Sequence, residues 1–369
     1  MMETLAFLAK NQMRTFPRKS IIIAVSLVTL FIPLSYFYID VPTSYHRAYA
    51  PGSSSPAFVL KLQNDVPQPG YFKNQPEWDW EVPDYSSRWK GYARKPKSKD
   101  VVLLTASDGG GHNSEIPNVL ERVLQNREDY CARHGYTSMW LNTSRYDIGD
   151  SHRQAWSKIP AVAEAFYIHP NAEWVVLLDA DIIIMTPTVD IIESIISPHA
   201  ISTNILRNTP LLEGSEDEHP PYIRTPTSYR VEDVDILITQ DQNDINAGVI
   251  FFRRSAFTRY LLEIMTDSRL MTREHGGAEQ DSIKHLMHEH LLVRKHVGIY
   301  PQRKFNAYVD GGEDRGWRDG DWLVHFAGCW VEHVCKEHFN EFWDKRTFEG
   351  TWRPDDSHGK GLEGGLVGE

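Results

Sequence analysis

Residues 175–185 read VVLLDADIIIM. Apolar side chains surround two aspartates, Asp179 and Asp181, with a single alanine between them. A run this apolar belongs inside a protein, and an ionised carboxylate taken out of water is costly unless something positive meets it. In extended chain, residues i and i+2 share a face. At the end of a buried strand the two carboxylates therefore converge on one point. A hard cation, Mg²⁺ or Mn²⁺, is the partner such oxygens select. A diphosphate bound to the same ion would explain why both carboxylates stay ionised. The plain alternative is a strand-end turn capped by Asp.

The flanking sequence gives this stretch a place. VVLLT at 101–105 is a short buried strand, followed by the glycine loop SDGGGHN. Ile116, Val119, Leu120, Val123 and Leu124 then recur at helical spacing. That helix is expected to stop near His134 and Gly135, where glycine suits a left-handed cap. SMWL at 138–141 is the next strand, Trp156, Ile159, Val162, Ala163 and Phe166 mark another helix, and WVVLL at 174–178 another strand. Strand and helix in alternation predict a parallel sheet covered by helices. Ligands of such sheets bind beyond the carboxyl ends of the strands. Both the glycine loop and the aspartate pair stand at such ends.

The second half is more mixed. DILIT at 235–239 and GVIFF at 248–252 read as strands, with QDQNDINA as a polar, hairpin-like loop between them. Ser255 is placed to cap a helix carrying Phe257, Tyr260, Leu261 and Ile264. A further helix is expected from Gly277 and Ala278 through Leu292, and short strands at 296–300 and 323–326.

The chain has 369 residues and a net charge of −11. That length holds one large or two modest domains. The acidic balance argues against a nucleic-acid partner, which usually meets a basic excess. Residues 20–39 are uncharged and as long as a membrane span. Arg14, Arg18 and Lys19 precede them and Asp40 follows. The positive-inside rule then keeps the N-terminus cytosolic. The expected organisation is a cytosolic tail (1–19), a transmembrane signal anchor (20–39), a Pro- and Ser-rich stem (40–98), a catalytic domain (99–352) and a disordered tail (353–369). Cys329 and Cys335 are near enough in sequence to pair across a short loop, leaving Cys131 free, though spacing does not decide the pairing. Asn142, Thr143 and Ser144 form a glycosylation sequon, meaningful only on a lumenal face.

A family resemblance adds to this reading. RxxYCxxHGY at 127–136, WSKIP at 156–160, PNAEWVVLLDADIIIMTP at 170–187, NAGVIFFRRS at 246–255, AEQDSIKHL at 278–286 and HFAGC at 325–329 occur in an order that resembles glycosyltransferase family 34. That family groups fungal α-1,2-galactosyltransferases and α-1,6-mannosyltransferases with plant xyloglucan xylosyltransferases. The resemblance implies an α/β chain of GT-A fold, a Rossmann-like mixed sheet flanked by helices, behind an N-terminal transmembrane helix. It implies a retaining hexosyltransferase anchored as a single-pass type II protein of the Golgi membrane, its catalytic domain lumenal.

Residue roles follow from the resemblance. Asp179 and Asp181 match the metal- and diphosphate-binding pair, with Mn²⁺ (or Mg²⁺) as cofactor, and His325 matches the histidine that completes the metal site. Gln280 matches the polar residue beside the donor's anomeric carbon, flanked by Glu279 and Asp281 as further catalytic candidates. Asn246 and Gly248 match an element in which Gly admits the sugar and Asn binds hydroxyls. Thr105, Asp108 and Gly109 lie where such enzymes seat the nucleotide, Lys158 can reach the diphosphate, and Gly328 lies in the HFAGC segment. The family often carries lysine directly after that segment. Here the position is Trp330 and the next lysine is Lys336: either Lys336 takes that role through a different loop path, or phosphate neutralisation rests on the metal and Lys158.

The expected activity moves galactose or mannose from UDP-galactose or GDP-mannose to a mannose-containing glycan. The departing phosphate itself would take the acceptor's proton, so no dedicated base is required. A different class of function is a non-catalytic subunit or sugar-binding scaffold of a Golgi mannosyltransferase complex, with other glycosyltransferase subunits as partners. A glycoside hydrolase would also use paired carboxylates, but across a cleft of roughly 5–10 Å. Two aspartates aimed at one point fit a metal better.

Overall fold

Strands β1 (Val101–Ala106), β2 (Thr137–Leu141) and β3 (Trp174–Leu178) pair in parallel with β1 in the middle. Helices α1 (Val119–His134) and α2 (Lys158–Ile168) make the crossovers that parallel pairing demands. In this computed structural model, residue 80 and residues 94–111, 115–148, 153–212, 223–271 and 277–346 are described. They fall within one compact unit, Pro56–Glu369. The segments read as cytosolic tail, membrane anchor, most of the stem and C-terminal tail lie outside the described residues. Among the described residues no helix is long and apolar enough to cross a membrane.

β4 (Ile182–Ile184) leaves the main sheet directly after β3. β5 (Ile236–Gln240) and β6 (Ile245–Arg253) form a hairpin, and β7 (Val297–Tyr300) pairs in parallel with β5. The main sheet runs β2-β1-β3-β6-β5-β7, and β6 lies antiparallel to β3. The sheet is thus mixed rather than wholly parallel. The cause is local: residues 241–244 are too short a link for a crossover and permit only a hairpin. Asn246, read above as part of a loop, accordingly sits inside β6.

Side chains alternate across the sheet as a period of two requires. Val102, Leu104, Val175, Leu177, Ile250 and Phe252 pack on one face with Phe166 of α2. Val101, Leu103, Val176, Leu178, Val249 and Phe251 pack on the other with Tyr130 of α1. Both faces are covered, which is why these strands read as continuous apolar runs.

Helix α3 (Ala256–Met265) starts where expected, with Ser255 Oγ accepting from Thr258 N at 3.0 Å. The helix expected through Leu292 instead breaks at His290 into α4 (Glu279–Glu289) and α5 (Leu291–His296). Gly135 caps α1 with φ of 71°. A second sheet, β4-β9-β8, is built from β4, β8 (Ala307–Tyr308) and β9 (Leu323–His325). It packs against α6 (Cys335–Lys345) through Val324, Phe326, Phe339 and Trp343. Cys329 and Cys335 are bonded with Cα atoms 4.7 Å apart, closing the loop between β9 and α6, while Cys131 is free and buried.

Candidate active site

The aspartate pair lies in the turn that hands the chain from β3 to β4, not on a strand, so its convergence comes from that turn. Two hydrogen bonds fix the turn. Asp179 N donates to Gly248 O at 2.9 Å, and Phe326 N donates to Asp181 O at 3.0 Å. The second extends the β4–β9 ladder, in which Ile182 faces His325. As a result, one oxygen from each aspartate and one ring nitrogen of His325 lie within 4.8 Å of one another. Asp181 and His325 are buried, and His325 Nε2 stands 3.4 Å from Asp181 Oδ1.

The other imidazole nitrogen fixes the tautomer. Asn306 Nδ2 donates to Thr239 Oγ1 at 2.9 Å and to Asn246 Oδ1 at 2.8 Å, so its amide oxygen must face His325. That oxygen lies 2.8 Å from Nδ1, which therefore donates, so Nε2 faces the carboxylates and its lone pair becomes available to an ion once its proton is lost. Two hard oxygens and one imidazole held by a second amide are a donor set that fits a divalent first-row ion.

Gly248 is expected to admit a sugar, and within the protein it makes room for the imidazole: a Cβ built there would stand 2.2 Å from His325 Cε1 and 2.7 Å from Nδ1. Asn246 Oδ1 accepts from Gly248 N at 3.0 Å as well as from Asn306. Its carbonyl oxygen thus supports the frame around His325.

Three positive groups answer the carboxylates. Lys158 Nζ, at the start of α2, lies 2.6 Å from Asp179 Oδ1 and 3.0 Å from Glu279 Oε1. The first contact is a close ion pair without hydrogen-bond alignment, the second a hydrogen bond. Burial works against the charge of Lys158, but the two carboxylates outweigh it and raise its pKa. Arg127 is fully buried under the turn and donates to the Asp179 carbonyl and to Thr105 Oγ1. Burial lowers its pKa to about 10 against the pull of Asp179 and Asp181, so it stays charged at neutral pH. Arg127 opens the RxxYC segment, and sequence reasoning gave it no role. The signal was an arginine on the same helical face as Val123 and Tyr130, where burial without a partner is not tolerated.

His325 is the third. Burial works against its proton, but Asp181 and then Asp179 raise its pKa above the ordinary value. Burial likewise works against the charge of Asp181, yet His325 and Lys158 hold its pKa down to about 2. An ion taking the Nε2 lone pair must displace that proton. Affinity for Mn²⁺ is therefore expected to be level above the raised pKa of His325 and to fall about tenfold for each pH unit below it. Calorimetric titration across that range checks this. A flat profile would remove His325 from the ligand set.

The remaining candidates are placed as follows. Glu279 is buried, and its Oε2 has no hydrogen-bond partner among the described residues. Burial raises its pKa despite Lys158. Gln280 Oε1 accepts from Ala247 N at 3.0 Å. Asp281 Oδ2 accepts from Gly277 N at 2.7 Å, fastening the start of its own helix. Ala278, just before α4, has φ of 50° and ψ of −118°, a backbone strain of roughly 1–3 kcal/mol that sets the exit angle of Glu279 and Gln280. Thr105 is buried and engaged by Arg127, so its hydroxyl serves the interior. Asp108 is exposed and accepts from Gly110 N at 2.9 Å, while Gly109 and Gly111 adopt φ of 79° and 86°, a turn that residues with Cβ resist. Gly328 also has positive φ, Trp330 is 43% exposed, and Lys336 is exposed at the start of α6. No hydrogen bond or ion pair among the described residues ties Asp108, Gly109, Gly328 or Lys336 to the aspartate–histidine group.

Comparison with known proteins assigns the chain to a family. The model of the galactosyl transferase GMA12/MNN10 family matches residues 97–336. The probable alpha-1,2-galactosyltransferase gmh2 of Schizosaccharomyces pombe is 35% identical over 253 residues, covering 68% of this chain and 72% of its own. The probable alpha-1,6-mannosyltransferase MNN10 of Saccharomyces cerevisiae is 31% identical over 275 residues, covering 69% of this chain and 67% of its own. Among solved structures, a glycosyltransferase involved in glycosylation of the major capsid of PBCV-1 aligns with a TM-score of 0.44 and 14% identity, over 65% of this chain and 99% of that one. That likeness is too distant to carry weight. The family match and the two yeast relatives carry it, and the chain belongs to the galactosyl transferase GMA12/MNN10 family.

Proposed function

We propose that this chain is a metal-dependent, retaining hexosyltransferase that moves galactose or mannose from UDP-galactose or GDP-mannose to a mannose-containing glycan. The observation that carries the proposal is the convergence of Asp179, Asp181 and His325 within 4.8 Å, on a chain whose relatives are named galactosyl- and mannosyltransferases. In this proposal residues 99–352 are a GT-A catalytic domain in the Golgi lumen, tethered by residues 20–39 as a type II anchor. The uncharged run behind Arg14, Arg18 and Lys19 supports that topology.

Asp179, Asp181 and His325 would hold Mn²⁺, with Mg²⁺ as the alternative ion. When bound, the ion supplies Lewis-acid stabilisation of the departing diphosphate. Lys158 pairs with both Asp179 and Glu279 and brings positive charge to the place where leaving-group charge develops. Gln280 presents a neutral amide toward a carbon that becomes electron-poor, without forming an ion pair with it. Arg127 and Asn306 keep the turn and the imidazole in place before any ligand arrives, so little is reorganised during transfer.

The test is a donor panel. Residues 41–369, produced as a secreted protein with Mn²⁺ and mannobiose, are expected to release nucleotide from one of UDP-galactose, GDP-mannose, UDP-glucose or UDP-xylose. The first two are the expected candidates. Silence across the panel, together with no Mn²⁺-dependent nucleotide binding, would favour a non-catalytic subunit.

A further inference from the structure

We propose that Asp244, gripped by Lys284, is a positioning residue that locks the amide of Gln280 in one orientation for sugar transfer. This rests on the hexosyltransferase reading with Gln280 beside the reacting carbon. A glutamine amide can be turned over with little change of shape, so its orientation is set only by its partners. Here both partners agree. Ala247 N can only donate, and it meets Oε1 at 3.0 Å. The Asp244 carboxylate can only accept, and its Oδ1 meets Nε2 at 3.3 Å. One lone pair of Oε1 and one N–H are left for a ligand.

The lock is joined to the metal-binding frame. Ala247 precedes Gly248, whose carbonyl holds Asp179 N and whose missing Cβ makes room for His325. Asp244 closes the link between β5 and β6. Its Oδ2 accepts from Lys284 Nζ at 2.6 Å, and Lys284 stands one turn beyond Gln280 on the same face of α4. Lys284 also lies 3.1 Å from Asp281. The link itself is fixed by Asp241. Asp241 Oδ1 accepts from Asn243 N at 2.8 Å and Asp244 N at 3.3 Å, and its Oδ2 accepts from Tyr308 at 2.6 Å. Tyr308 in turn meets His325 edge-on at 5.6 Å. Asp244 is therefore held from α4 and from the small sheet at once.

Asp244→Asn keeps the shape and removes the certainty. With Lys284 claiming its one oxygen, its new NH₂ faces Nε2 of Gln280. Relief by turning Gln280 would set NH₂ against Ala247 N. The substitution is expected to lower kcat about 10–100-fold, with Mn²⁺ affinity and donor KM changed less than about threefold. In a Gln280→Ala background the same substitution is expected to leave kcat unchanged, because the group it acts through is gone. Independent, additive losses would overturn the proposal. A crystal structure of Asp244→Asn supplies a readout that needs no turnover: Gln280 is expected to leave Ala247 N. An amide that stays in place would overturn the proposal even if the wild type turned over no donor, a result that would count against the hexosyltransferase reading alone. Should Asp244→Asn fail to fold, Lys284→Met leaves the carboxylate but frees it. Its kcat loss is expected to vanish in the Gln280→Ala background, and an undiminished loss there would overturn the lock.

Discussion

A Gly248→Ala variant is expected to bind Mn²⁺ at least about 100-fold more weakly than the wild type, a loss of about 2.7 kcal/mol, and to transfer no sugar. The added methyl would meet His325 Cε1 at 2.2 Å, far inside any tolerated contact. β6 cannot withdraw, because Leu178 and Val249 are paired across the sheet and Asp179 N is bonded to Gly248 O. The ring must move instead, by more than about an ångström, whereas ligand distances tolerate only about 0.2 Å. Moving the ring also breaks its bond to Asn306. Overpacking of this kind costs about 1–3 kcal/mol, so the fold should survive with a melting temperature lowered by several degrees. Calorimetric Mn²⁺ titration beside a melting curve checks both. Wild-type affinity in a folded variant would show that His325 is not a ligand in the working protein.

Much of this arrangement was legible in the sequence. The alternation of apolar runs with helical spacing placed β1, α1, β2, α2 and β3 correctly, because strands covered on both faces leave an unbroken apolar signature. The aspartate pair was legible because charge inside such a run demands compensation. The compensation itself was harder to read. Arg127 and Asn306 act from positions remote in sequence, and nothing in local pattern says which buried polar groups meet. Gly248 was found as a special residue, but the close approach of His325 to it was not read. A glycine in a strand announces close approach without saying by what, and only the pairing of β3 with β6 and β4 with β9 shows that the imidazole approaches. The break at His290 was missed because Leu291 and Leu292 continue the apolar spacing; both are exposed, so that spacing did not mark a buried face.

The same frame makes Asp181 the residue whose loss separates catalysis from folding most cleanly. Asp181→Asn is expected to lower kcat/KM by at least about 10³-fold, about 4 kcal/mol of transition-state stabilisation. The amide keeps the size of the carboxylate, and the backbone bond from Phe326 N to Asp181 O is untouched. What disappears is a charge that His325 and Lys158 hold ionised down to about pH 2. The sign of the stability effect follows from that depressed pKa. The ionised form contributes stability above the unfolded value of about 4, and the contribution fades as pH falls toward about 2. At neutral pH the metal-free variant should therefore lose at most about 2.5 kcal/mol, and Mn²⁺ should no longer raise its melting temperature. Excess EDTA on the wild type should reproduce the loss of transfer, and Mn²⁺ should restore it in the wild type alone. Full transfer by Asp181→Asn, or by the wild type in EDTA, would overturn the metal-dependent reading. Loss of transfer with no loss of biological function would turn the assignment toward a non-catalytic subunit that keeps the fold of an enzyme.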